Sequence, residues 1–146
     1  MTRQTLTTAA ALLLFLPAAM LRADDVVKGD KDLDGDWEVK SALKGGKEPP
    51  ADSPKLSLTI QGDVVTMKIG PSTLKAAFKA YPDKKPKAFD MTPEDGPHKG
   101  ETIKGIYEIT GDEFRACHGD PGQERPTEFS GKDDDKLLVV WKRVKK

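Results

Sequence analysis

From Asp36 onward, apolar and polar residues alternate with a period of two, the spacing of a strand with one face in a core. Trp37, Val39 and Ser41 share one face and Glu38 and Lys40 the other. Gly45-Gly46 and Pro49-Pro50 end that segment. Leu56, Leu58 and Ile60 repeat the pattern, and Gly62-Asp63 separates them from Val65, Met67 and Ile69, which predicts a hairpin. Over residues 72–81 the two alanines Ala76 and Ala77 favour helix. Leu74, Ala76, Phe78 and Ala80 nevertheless alternate, so a strand is expected there too. Short strands follow at residues 88–91, 105–109 and 114–118, with a last and most apolar one at 136–144. Residues 82–87, 92–100 and 119–135 are loops rich in Pro, Gly and charge. No internal repeat and no helix emerges.

About eight short strands at this spacing predict an all-β fold, an antiparallel up-and-down β-barrel or a sandwich. Aromatic inward positions on the first and last strands allow the two to pair. Closure of that kind removes the exposed edges that a thin core tolerates badly.

The extreme N-terminus breaks the pattern. Residues 1–23 carry Arg3, the apolar run Ala9 to Leu16, and the ending Leu21-Arg22-Ala23, the layout of a cleavable secretory signal. The run is too short for a stable membrane span, and no Cys follows it to accept a lipid. The mature chain is therefore expected to start at Asp24, to be secreted or periplasmic, and not to span a membrane. Residues 24–34 read as a charged leader and residues 35–146 as the barrel domain.

Composition changes this picture in two ways. The chain has 146 residues with 24 basic and 24 acidic side chains, so a single domain without the electrostatic footprint of a nucleic-acid binder is expected. Removing the signal takes away two cations and 15 apolar residues. The low apolar content that remains would suggest disorder, were it not for eight aromatics spread from Trp37 to Trp141. A small core under a heavily charged surface is expected. One cysteine excludes a disulfide framework and a Cys-based zinc site.

Two resemblances bear on fold and compartment. Gly35-x-Trp37 with Arg143 near the C-terminus resembles the lipocalin and wider calycin pattern, in which an Arg stacks across the Trp that closes the barrel base. Leu33-x-Gly35-x-Trp37, Lys85-Pro86-Lys87-Ala88-Phe89-Asp90, Gly105-Ile106-Tyr107-Glu108-Ile109, Cys117 and Arg125-Pro126-Thr127-Glu128-Phe129, in that order, resemble a family of small exported domains expanded in planctomycete bacteria. The likeness runs from about Leu33 to Arg143, with more Ala in residues 72–81 than the family's usual strand. It implies the compartment and the domain extent and carries over no catalytic residue.

Candidate chemistry is sparse. Asp30-x-Asp32-x-Asp34-Gly35 matches the first half of a calcium loop, but Ser41 stands where a bidentate Glu is needed; the other reading is a solvated acidic leader. Cys117-His118 joins a thiol to an imidazole, yet strand neighbours face opposite ways, which argues for a buried Cys and a rim His. His98 and His118 with Asp90 or Glu94 lack a diagnostic metal spacing. Arg125 is a candidate for an anionic ligand at the barrel mouth, or a structural anchor in a loop where Phe129 plugs one barrel end. Asp133-Asp134-Asp135 reads as a charged tip. The expected protein is a non-catalytic binding domain, monomeric and without cofactor or metal. Its partner would be a small apolar molecule or an envelope protein, with Arg125, Arg115 and Tyr107 as candidate ligand contacts and Gly35, Trp37 and Arg143 as closure residues. The other expectation is a structural or interaction module of the envelope with no cavity.

Overall fold

A computed structural model describes residues 29–145; the signal segment and the Asp24 start lie outside the described residues. Eight strands follow in order: β1 (Gly35–Lys44), β2 (Leu56–Gln61), β3 (Val64–Ile69), β4 (Ser72–Tyr81), β5 (Ala88–Pro93), β6 (Ile103–Thr110), β7 (Glu113–Gly119) and β8 (Lys136–Arg143). Each pairs antiparallel with its sequence neighbour, and β8 returns to β1, giving a closed up-and-down barrel. The ambiguous alanine-rich segment is strand along its whole length, with Ala76, Phe78 and Ala80 buried.

Inward residues form one core that includes Trp37, Phe78, Phe89, Tyr107, Phe114 and Trp141. Outward positions such as Glu38, Lys68, Lys79, Glu108 and Lys142 are exposed. This is the inverse of a transmembrane barrel, whose apolar residues face outward. No described helix is long and apolar enough to cross a membrane.

Two features depart from strict alternation. A β-bulge between Val39 and Ser41 shifts β1 by one position on β8, so Ala42 turns inward and Ser41, expected inward, is exposed. Residues 120–135 form a strap that runs over the outer face of the sheet. Beneath it lie outward-pointing Ala88, Ile106 and Cys117, which pair across β5, β6 and β7 and are no more than 1% exposed. Arg125 clamps the strap to the barrel: its Nη1 donates to the carbonyls of Phe89 (2.7 Å) and Gly105 (2.8 Å), and its Nη2 to Asp90 Oδ1 (2.6 Å).

Candidate functional site

One end of the barrel is closed from the N-terminal side. Residues expected to be a formless leader contain a 3-10 helix, Lys31–Leu33, capped by the Asp30 carboxylate on the Asp32 amide. Leu33, 1% exposed, is the apolar plug of this end. Trp37 Nε1 donates to the Leu33 carbonyl at 2.9 Å. Arg143 lies with its guanidinium carbon 4.1 Å from the Trp37 ring centre and donates to the carbonyls of Asp34 and Asp32 at 2.8 and 2.7 Å. Trp37 and Arg143 are also register partners across β1 and β8. Gly35 is required twice over, since its φ is +134° and a Cβ there would sit 2.9 Å from Arg143 Nη1.

The acidic residues of the calcium-like stretch serve this closure. Asp30 Oδ2 accepts the Tyr107 hydroxyl at 2.8 Å, and Asp34 Oδ1 accepts the Gly62 amide at 2.9 Å. Among the described residues no group of three or more His, Cys, Asp or Glu side chains converges as a metal site. Burial raises the Tyr107 hydroxyl pKa, and the Asp30 hydrogen bond and the charges of Asp30 and Asp32 raise it further. Tyr107 therefore stays protonated and donates.

Above this floor lies a cavity of about 110 Å³. Its walls are aliphatic and aromatic, among them Ile60, Val65, Phe78, Phe89, Phe114 and Trp141, with His118 as the imidazole in the lining. The two ends of the lining differ in exposure. Leu33, Ile60, Tyr107 and Val65 at the floor are at most 2% exposed, whereas Leu56, Met67, Met91 and Leu137 at the other end are only partly buried. That end is the mouth.

His118 Nδ1 lies 3.0 Å from the Gly119 carbonyl, which can only accept, so the proton sits on Nδ1 and Nε2 is the lone-pair nitrogen of the neutral ring. Burial lowers its pKa below the usual 6.5 and outweighs the Gly119 hydrogen bond and Asp120, which favour the charged form; Lys44 adds to the lowering. Cys117 faces the other way, under the strap, with Sγ 3.4 Å from the Ser130 carbonyl, and burial raises its thiol pKa. A thiol–imidazole pair is therefore not formed.

Of the three ligand residues expected from the sequence, Tyr107 alone lines the cavity, and its hydroxyl is held by Asp30. Arg125 sits outside the barrel with its fork engaged on the strap, the anchoring role rather than the anion-binding one. Arg115 is also outside; it pairs with Glu108 and lies 4.1 Å over the Phe129 ring. Phe129 consequently belongs to the outer surface, and the plug expected of it is supplied by Leu33. The other lining residues, among them Leu56, Met67, Met91, His118, Leu137 and Trp141, were not among the ligand contacts expected from the sequence. The period of each strand marks most of these positions as inward, whereas the charged candidates Arg115 and Arg125 lie on the outside of the barrel.

Fold and site together define a lipocalin-like barrel: eight antiparallel strands, a Trp–Arg base and an apolar interior open at one end. Comparison with protein-family models, curated proteins and solved structures found no match.

Proposed function

We propose that this chain is an exported, non-catalytic binding domain that takes a compact apolar ligand, or the end of a longer apolar chain, into the barrel through its mouth. The observation that carries the reading is the contrast between the deeply buried Leu33, Ile60, Val65 and Tyr107 at the floor and the partly buried Leu56, Met67, Met91 and Leu137 at the other end of an apolar cavity. Methionine side chains are flexible and polarisable, so two of them at the mouth suit an opening that must adapt to its occupant. The lining offers one imidazole, neutral and bonded to Gly119, and a phenol held by Asp30, which is a poor basis for acid–base or nucleophilic chemistry.

Trp141 lines the cavity and reports on its contents. Benzene is the probe: an engineered apolar cavity of about 150 Å³ in another protein binds it, and this one needs only slight adjustment at Met67 or Met91. Saturable changes in Trp141 emission and in the methyl resonances of Met67 and Met91 are expected. If neither responds up to the solubility of benzene, the interior is not a binding site. The volume specifically favours the second reading in that event, because about 110 Å³ lies well under the roughly 300–1,000 Å³ usual for ligand pockets. The domain would then act through its outer surface as an envelope interaction module. Export is tested separately by N-terminal sequencing of the mature protein, with Asp24 expected as the first residue.

A further inference from the structure

The wall between β1 and β2 is incomplete near the mouth. Their ladder runs from Gly35↔Ile60 to Glu38↔Ser57 and stops, while β1 continues along β8 as far as Lys44. The bulge at Val39/Ser41 falls where the two strands part. Bulges commonly end pairing and redirect side chains beside functional openings. Outside this gap lies a groove of about 380 Å³, bounded by β1 and by residues 48–55 of the β1–β2 loop. Ala42 belongs to the interior core and Val39 and Leu56 pack against it, yet all three also line the groove. Leu56 lines the interior cavity as well. Core and groove thus meet across a layer one side chain thick.

Size and chemistry say what such a shape accepts. The interior alone is too small for an ordinary ligand, but interior and groove together fall within the usual range. Displacing the Leu56 side chain, the one residue common to both linings, would open a passage that admits an unbranched chain and rejects rings and paired chains. The groove walls carry Pro49 and Pro54 beside the aliphatic floor, so they receive methylenes. At its edge stand Lys40 and Lys55, with Glu48 as the acid of the same lining. Lys40 pairs with Glu113, whereas Lys55 is 3.7 Å from Glu38 with its side chain 78% exposed, a loose surface pair that a ligand's anion can replace.

We propose that the cavity and the β1–β2 groove form one bipartite site for a single-chain amphiphile with an anionic head, the chain end passing Leu56 into the barrel and the head resting at Lys55. This rests on the interior-binding reading and extends it to a ligand class and an entry route. Dodecanoate is the probe. On the intact mature protein its affinity is expected to exceed that of hexanoate at least tenfold, because the shorter chain cannot occupy both compartments. In the wild-type complex, nuclear Overhauser contacts are expected from the terminal methyl to the Trp141 indole and from the methylene beside the carboxylate to Lys55 and Leu56. Leu56→Phe narrows the passage and should weaken dodecanoate at least tenfold, whereas Lys55→Glu, outside the interior lining, should leave benzene binding unchanged. Lys55→Glu should weaken dodecanoate several-fold and strengthen dodecyltrimethylammonium.

Three results would overturn the proposal. Contacts from dodecanoate to Met91 and Leu137 with none to Lys55 would mean entry along the barrel axis and would leave interior binding intact. Equal dodecanoate affinity in wild type and a folded Leu56→Phe would have the same meaning. Failure of both benzene and dodecanoate to bind would remove the interior reading, and this one with it. The wild-type contacts decide the matter even if the Leu56 variant does not fold.

Discussion

At Arg143 a single side chain performs three tasks: it covers the Trp37 indole, satisfies two carbonyls of the N-terminal plug, and joins the last strand to the first. Trp37 is fully buried and meets Phe114 edge-on at 4.5 Å, so Trp37→Ala is expected to cost ~3–5 kcal/mol, measured by denaturant unfolding. Arg143→Lys keeps the charge but loses the planar stack and the fork, and about 1–2 kcal/mol should go with them. The double variant should fall short of the sum, because each change already removes the shared contact. Strict additivity would mean that the stack contributes nothing. Gly105 is as constrained at the opposite extreme of size. A methyl group there would overlap the Phe89 ring and lie 2.9 Å from the Cys117 carbonyl, with backbone on one side and a core ring on the other. Gly105→Ala should therefore destabilise by about 1–3 kcal/mol through overpacking. An unchanged midpoint would show that Phe89 has room to move.

Among the elements, the strap shows most clearly how a segment without periodicity acquires a fixed position. Ala88, Ile106 and Cys117 make an apolar patch on the wrong side of the sheet, and the strap keeps water from it. Its anchors are carbonyls as much as side chains: Arg125 reaches those of Phe89 and Gly105, and the amides of Gly45 and Gly46 reach those of Asp133 and Gly131. Removing the guanidinium takes a donor from two carbonyls and from Asp90 Oδ1, while Asp90 Oδ2 keeps the Tyr81 hydroxyl. Arg125→Ala is thus expected to raise the rate of Cys117 alkylation at least tenfold under native conditions while the far-ultraviolet spectrum of the barrel is kept. Unchanged protection of Cys117 would mean that the strap holds without its clamp. The same contrast explains what could be read from the sequence. Strands such as β3 and β4 alternate cleanly because one face is core and the other water, and even the alanines of β4 could not hide that period. The bulge in β1 left only a slight mark in the sequence, the two consecutive polar residues Lys40 and Ser41 before Ala42, which a strict period of two passes over. Asp30, Asp32 and Asp34 looked like cation ligands because sequence shows carboxylates but not the Tyr107 hydroxyl and Gly62 amide that meet two of them across the base. Arg125 was conspicuous for its charge, yet its role depends on carbonyls that every residue possesses.

For the whole molecule, the consequence of a thin core is that the interior cavity and the stabilising core are made of the same residues, with Phe89, Phe114 and Trp141 in both. A charge introduced into the cavity should therefore reduce binding and stability together, and His118 is placed to introduce one. Its ring faces the cavity with Phe89 edge-on at 6.4 Å, and burial holds its pKa below 6.5 despite Gly119 and Asp120, while Lys44 opposes protonation further. In the unfolded chain the same imidazole takes up its proton near pH 6.5. Between that value and the lower folded pKa, the unfolded state binds more protons than the native state, so stability rises with pH across this window. The stabilising difference is complete above about pH 6.5, is lost progressively as the pH falls below it, and levels off once the folded pKa is passed. His118→Phe has no proton to bind, so the difference between wild-type and variant unfolding free energies should vary with pH in this interval and be flat above it. Benzene affinity, read from Trp141, should decline in the wild type as the pH falls through the folded pKa and remain constant in the variant, since a protonated imidazole at the mouth draws water into the space the ligand needs. Parallel stability profiles for wild type and His118→Phe from pH 8 to pH 5 would show that the imidazole titrates alike in both states, and that the cavity wall at His118 is wet rather than apolar.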